Sequence, residues 1–200
     1  QLFYFFFVYK ELKKMNLPII ISVPSGNFGN ICAGILAKKL GLPIHHFVAA
    51  TNINDTIPRF MLDGMYNPKP SKATLSNAMD VGNPSNFIRI QELYKHDFLA
   101  FKNDFSSYTF SDEETLVALK DLYTKNQYIA EPHGAIGYLG LKEEMKKHGK
   151  SIGVFLETAH PIKFLGTVEP ALEICLPIPT QIESIMNKEK KSIKIKTYTD

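Results

Sequence analysis

Ile19-Ile20-Ile21-Ser22-Val23-Pro24-Ser25-Gly26-Asn27-Phe28-Gly29-Asn30, continuing into Ile31-Cys32-Ala33-Gly34-Ile35-Leu36-Ala37-Lys38-Lys39, is the stretch that decides the fold. Three isoleucines in succession, without polar alternation, predict a strand buried on both faces. The run from Ile31 to Lys39 predicts a helix. Between them the glycines let the chain turn off the strand and bring backbone N–H groups toward an anion at the positive end of that helix. The spacing fits neither GxGxxG nor GxxxxGK[ST], so on spacing alone a phosphate cradle and an ordinary strand-to-helix turn stand side by side.

Working outward, the aromatic run from Gln1 to Tyr9 and the polar Lys10-Glu11-Leu12-Lys13-Lys14 predict a helix through about Lys14. A strand follows at 19–23, a helix at 28–40 and a strand at 44–50. Gly41-Leu42-Pro43 supplies the stop between the last two. Helix, strand, helix, strand with short connections predicts an α/β protein with a mainly parallel sheet flanked by helices. Thr51 to Phe60 is a polar strand end leading into a short helix, the place where open α/β sheets seat ligands. Met65 to Ser76, rich in Pro, Asn, Lys and Ser, reads as a surface loop. Helices are predicted at 87–94, after Asn83-Pro84-Ser85-Asn86, and from Ser111-Asp112-Glu113-Glu114, a capping box. Glu131-Pro132-His133-Gly134-Ala135 opens a helix toward Lys147; a strand at 152–156 ends in Glu157-Thr158-Ala159-His160-Pro161. Thr180 starts a short helix, and a polar tail begins at Lys188. The division expected is a catalytic-type region over 1–187 and a tail over 188–200.

Composition narrows the function classes. At 200 residues and 44% apolar the chain can bury a sizeable core. A net charge of +3, evenly interspersed, gives no basic stripe for nucleic acid. The two cysteines, Cys32 and Cys175, form neither a disulfide framework nor a zinc set, and predict a reducing, cytoplasmic setting. His45 and His46, adjacent on a strand, point oppositely and make no metal pair. The opening aromatic run is too short to span a bilayer and lacks the flanks of a signal peptide. With no initiator Met and no cap before its first helix, the sequence is expected to begin inside a helix of a longer protein, a cleaved or truncated product being the alternative.

Five separated segments carry a family resemblance. Val23-Pro24-Ser25-Gly26-Asn27-Phe28-Gly29-Asn30 resembles the phosphate-cup loop of the threonine synthases, and Ala49-Ala50-Thr51-Asn52-Ile53-Asn54-Asp55 the segment after their next strand. Met79-Asp80-Val81-Gly82-Asn83-Pro84-Ser85-Asn86-Phe87-Ile88-Arg89 resembles a characteristic internal segment. Glu131-Pro132-His133-Gly134-Ala135 and Leu156-Glu157-Thr158-Ala159-His160-Pro161-Ile162-Lys163-Phe164 resemble the late signatures. The order is right, and the likeness runs from Gln1 to about Ile195.

The resemblance implies a fold type II pyridoxal 5'-phosphate enzyme converting O-phospho-L-homoserine and water to L-threonine and phosphate. It implies that Ser25, Gly26, Asn27, Phe28, Gly29 and Asn30 hold the cofactor phosphate and that Thr158 meets the pyridine nitrogen. Asn52, Asn54, Asp55, Ser85, Asn86 and Arg89 are candidates for the substrate crevice. Arg89 can meet a phosphate or pair with Glu92; Asp80 can brace its own loop; His133 and His160 can move protons or cap element ends. The lysine that joins the cofactor covalently is expected upstream, in a missing N-terminal portion. Lys102, in the look-alike Phe101-Lys102-Asn103-Asp104, and Lys163 do not replace it. The chain alone is therefore expected to be inactive and to expose an apolar face. A related pyridoxal-phosphate lyase and a catalytically dead binding remnant are the competing readings.

Overall fold

The computed structural model describes residues 1–186, 188, 189 and 191–194. Four parallel strands form one sheet: β1 (Ile19–Pro24), β2 (His46–Thr51), β3 (Phe105–Thr109) and β4 (Ile152–Phe155), in the spatial order β3-β2-β1-β4. Ile21 lies opposite Phe47 on one side and Val154 on the other, and Ala49 opposite Ser107. Every residue of β1 and β2 is buried, as the uninterrupted apolar run predicts for central parallel strands.

Helices cover both faces. Ile19, Ile21, Val23, Phe47, Ala49 and Phe105 meet one layer, built from α1 (Leu2–Leu12), α2 (Gly29–Lys39), α3 (Thr56–Asp63), α4 (Phe87–Leu93) and α5 (Phe98–Asp104). The alternate residues Ile20, Val48 and Ala50 meet α7 (Pro132–Met145) through Ile136 and Leu141. On its outer side α7 packs with α6 (Asp112–Asn126) and α8 (Leu165–Leu172) around Leu119, Leu122 and Val168. The last described helix is α9 (Thr180–Met186). The capping box at Ser111 is formed: the Ser111 hydroxyl accepts the Glu114 N–H at 3.2 Å, and the Glu114 carboxylate accepts the Ser111 N–H at 2.8 Å.

Three elements are additions to the sequence reading. β3 is half polar, so its apolar signal is weak, and α5 immediately precedes it without a glycine or proline break. Helix α8 contains Gly166 and Pro170, both helix breakers, and forms because Val168, Ala171 and Leu172 are buried against α6 and α7. The tail expected over 188–200 lies in part outside the described residues.

From β1 the chain moves to β2 and then β3 on one side, while β4 returns to the other side of β1. The switch therefore falls between the carboxyl ends of β1 and β4, where a doubly wound sheet opens a crevice. Among the described residues no helix is long and apolar enough to cross a membrane.

Candidate functional site

The turn after β1 is fixed before α2 starts. The Ser25 N–H reaches the Ala50 carbonyl at 2.8 Å, and its buried hydroxyl donates to the Val23 carbonyl at 2.8 Å. A Cβ at Gly26 would stand 2.6 Å from the Met79 Cα, so only glycine lets the turn lie against the Asn77–Met79 segment. Phe28 takes a left-handed conformation, φ 63°, at a cost of about 1–2 kcal/mol. Its ring offsets this by burial edge-to-face on Phe87, 5.9 Å between centroids.

The consequence is a row of free donors. Among the described residues the N–H groups from Gly26 to Ile31 take no protein acceptor; the ladder of α2 begins with Cys32 N–H to Phe28 O at 3.0 Å. These donors converge at the positive end of an eleven-residue helix. The Asn30 Oδ1 nearby is buried without a partner. It borders a cleft of about 530 Å³ whose opposite wall is Leu156, Glu157 and Thr158, at the end of β4, with Gln1 and Tyr4 on the α1 side.

The other sequence-predicted residues fall into two groups. Asn27, Ser85 and Asn86 meet: the Asn27 Oδ1 accepts the Ser85 N–H at 2.6 Å and its hydroxyl at 3.0 Å, while the Asn86 amide donates to the Asn27 carbonyl at 3.0 Å. This ties the segment before α4 to the turn. Asn52, buried after β2, donates to Thr74 Oγ1 at 2.8 Å and to Asp80 Oδ1 at 2.9 Å. Its own Oδ1 accepts the Asn54 N–H at 3.0 Å, and Asn54 holds both the N–H and the carbonyl of Lys72. Asp80 also accepts the Thr74 N–H at 3.1 Å. The expected loop 65–76 is thus pinned at Lys72 and Thr74 to the ends of the strands. Asp55 pairs with Arg59 at 2.9 Å. Arg89 is exposed and forms no ion pair among the described residues; Glu92 pairs instead with His96 at 2.9 Å.

Glu131 and His133 form a buried unit at the start of α7. The Glu131 carboxylate caps the helix, accepting N–H groups from His133 at 2.9 Å and Gly134 at 3.0 Å, and it also takes the His133 Nδ1. The His133 Nε2 accepts the Ala78 N–H at 3.2 Å, which fixes the neutral tautomer with its proton on Nδ1. His160 caps the next short turn, its Nδ1 accepting the Ile162 N–H at 3.2 Å. Thr158 is exposed to the cleft side and Lys163 to solvent; Lys102 lies over the Phe98 ring on α5, away from the cleft-lining residues.

From the sequence, Glu157 could orient a donor or face a helix terminus; the structure sets it against the N-terminus of α7. Its Oε1 accepts the Glu131 N–H at 3.0 Å, and its Oε2 is buried without a partner. Burial pushes its carboxyl up to about 7; the Glu131 N–H opposes this and the Glu131 charge adds to it. The unpartnered oxygen and the raised carboxyl have no local signal in Leu156-Glu157-Thr158, because they come from α7 folding over the end of β4.

Chemically, the arrangement offers backbone donors and a helix terminus for a doubly negative group, a neutral hydroxyl across the cleft, and no lysine or arginine among the described cleft-lining residues. It fits the phosphate and ring of a pyridoxal phosphate. A groove for nucleic acid would need basic side chains there instead.

A family model described as "Threonine synthase, C-terminal" matches residues 134–199. The threonine synthase of Haemophilus influenzae is 47% identical over 184 residues, 92% of this chain and 42% of that protein. A crystal structure of pyridoxal-phosphate-bound threonine synthase from Brucella melitensis superposes with a TM-score of 0.87 at 30% identity, covering 94% of this chain and 46% of that one. The Escherichia coli threonine synthase structure gives 0.77 at 43% identity, covering 83% and 38%. The chain therefore spans about two fifths of the length of the curated relatives it matches. The parallel sheet flanked by helices is the fold type II architecture of these enzymes.

Proposed function

Because the chain matches threonine synthases over nine-tenths of its own length and their C-terminal family model over its last third, we propose that it is the C-terminal part of a threonine synthase. The reaction is conversion of O-phospho-L-homoserine and water to L-threonine and phosphate. The observation that carries this reading is the row of N–H groups from Gly26 to Ile31, without protein acceptors among the described residues, at the start of α2, where Asn30 shares a cleft with Thr158.

Pyridoxal phosphate, when bound, supplies the electron sink that makes loss of protons next to the amino-bearing carbon feasible. The chain's own residues do the holding. Backbone N–H groups of Gly26, Asn27, Phe28, Gly29 and Asn30 receive the phosphate, with the α2 terminus favouring its charge. Ser25 and the Asn27–Ser85–Asn86 contacts set the angle of that turn. Thr158 gives the ring nitrogen a neutral hydroxyl, which neither requires nor strongly favours a protonated ring. Asn52, Asn54 and Asp80 hold the 65–76 loop over the strand ends, so that Asn54, Asp55, Ser85, Asn86 and Arg89 surround the crevice in which O-phospho-L-homoserine binds.

The covalent lysine is placed in an N-terminal portion that completes the site, and the protein is placed in the cytoplasm, in keeping with the two free cysteines. We take 1–187 as part of the catalytic region and 188–200 as a tail. The test joins this chain to its natural upstream sequence and measures phosphate and threonine formed from O-phospho-L-homoserine. Both products are expected in equal amount from the joined protein and neither from residues 1–200. A joined protein that carries pyridoxal phosphate and yields neither contradicts the assignment.

A further inference from the structure

The turn after β1 leans on a piece of backbone that is itself held from α7. A Cβ at Gly26 would stand 2.6 Å from the Met79 Cα and 3.0 Å from the Ala78 carbonyl oxygen, so the two backbones are in direct contact. A shift of one moves the other, because close-packed groups transmit displacement. The Asn77–Met79 turn closes on itself through Met79 N–H to Ser76 O at 2.8 Å and Asp80 N–H to Asn77 O at 3.1 Å. Its Ala78 N–H goes instead to His133 Nε2 at 3.2 Å, and among the described residues this is its one hydrogen bond to α7.

The imidazole is prepared for that task. Glu131, wholly buried, takes Nδ1 and so keeps the ring proton there, which leaves Nε2 as an acceptor. The ring is 4% exposed and packs against Phe164, 5.0 Å between centroids. Capping α7 does not require it, since the Glu131 carboxylate already accepts the His133 and Gly134 N–H groups. A buried imidazole must keep its nitrogens satisfied, whereas a leucine of similar reach would carry no such demand.

We propose that His133 is a positioning residue for the cofactor phosphate: held in one tautomer by Glu131, it anchors the Ala78 N–H and, through the Ala78–Met79 backbone against Gly26, sets the backbone donors of the turn after β1. The proposal rests on the function assigned above. His133 is not among the residues lining the cleft of Asn30 and Thr158, so its effect passes through the backbone contact at Gly26. Losing the Nε2 acceptor frees the Ala78 N–H and lets the Asn77–Met79 turn move off Gly26. The donors from Gly26 to Asn30 then no longer converge on one anion. Coupling of this kind acts in both directions, so a phosphate held in the turn steadies the Ala78 bond.

The experiment uses the intact protein, with its upstream portion, as wild type, H133L and H133Q. Leucine fills the space without an acceptor, whereas the glutamine amide oxygen reaches the place of Nε2 and takes the Ala78 N–H. Affinities for pyridoxal phosphate and for pyridoxal, which lacks the phosphate, are measured on each apoprotein. In H133L the preference for the phosphorylated form is expected to fall roughly tenfold, the scale of one hydrogen bond lost from the support of the turn. In H133Q it is expected to return to within about threefold of the wild type. A preference unchanged in H133L, or lowered equally in both variants, overturns the proposal. Should circular dichroism show H133L unfolded, the wild type decides: hydrogen exchange at the Ala78 amide is expected to slow with pyridoxal phosphate and not with pyridoxal. Equal exchange with the two ligands overturns the proposal. A wild type that binds no pyridoxal phosphate defeats the cofactor assignment and this role with it; normal binding with an unchanged preference in H133L defeats this role alone.

Discussion

At the scale of single residues, Gly134 and Glu157 are a matched pair. The carboxyl of Glu157 occupies the space that any side chain at Gly134 would need, at the third position of α7. Gly134→Ala is therefore expected to destabilise the fold by about 1–3 kcal/mol through overpacking, read as a lower urea midpoint with an unchanged slope. An alanine variant as stable as the wild type contradicts the placement of that carboxyl. Raised from 4.5 to about 7, Glu157 contributes stability that is complete below about pH 4.5 and is lost as the pH rises through about 7. E157Q removes that slope. The turn Ser25–Asn30 was legible in the sequence because glycine and strand-to-helix position are local properties. The orphaned oxygens of Asn30 and Glu157 were not, since they arise only when α2, α7 and β4 meet.

At the scale of elements, α7 is held at both ends, at the cleft by Glu131 and at the far end by Glu144. Glu144 is buried, accepts the Tyr108 hydroxyl at 2.5 Å and the His148 Nε2 at 2.8 Å, and lies 3.5 Å from the His46 Nε2. His46 in turn meets the Ser106 hydroxyl at 2.6 Å, and Lys147 reaches Tyr108 at 2.5 Å. Burial disfavours the charge on Glu144, but hydrogen bonds from Tyr108, Ser106 and His148 outweigh it and bring the carboxyl down to about 2. Burial also lowers His46, more than Glu144 raises it. Both shifts act in one direction. Stability from Glu144 is present above about pH 4.5 and lost as the pH falls toward 2, and that from His46 is present above about 6.5 and lost on acidification. E144Q is expected to cost about 1–3 kcal/mol at pH 7 and to flatten the acid limb of a stability profile; a profile parallel to the wild type contradicts the role given to Glu144. The helices with caps were legible from sequence, as Ser111 and Glu131 show. The polar strand β3, and α8 with Gly166 and Pro170 inside it, were not, because tertiary burial rather than local preference forms them.

At the scale of the whole molecule, the four strands leave β4 at an edge and only half buried, although its sequence is that of an inner strand. Beside it α1 buries Phe5 but exposes Phe3 (73%), Tyr4 (65%) and Phe7 (62%). An apolar face of this kind needs a cover, which in the proposed enzyme is the upstream portion. Residues 1–200 alone are expected to self-associate and to bind a hydrophobic dye, both reduced by serine at Phe3 and Phe7, as followed by sedimentation and fluorescence. A monodisperse, dye-silent chain contradicts that expectation. The central claim is that the turn after β1 grips a phosphate, and a crystal structure of the intact protein with pyridoxal phosphate tests it most directly. The account predicts phosphate oxygens within hydrogen-bonding distance of the N–H groups from Gly26 to Asn30, and a phosphate bound elsewhere, with that turn empty, contradicts it.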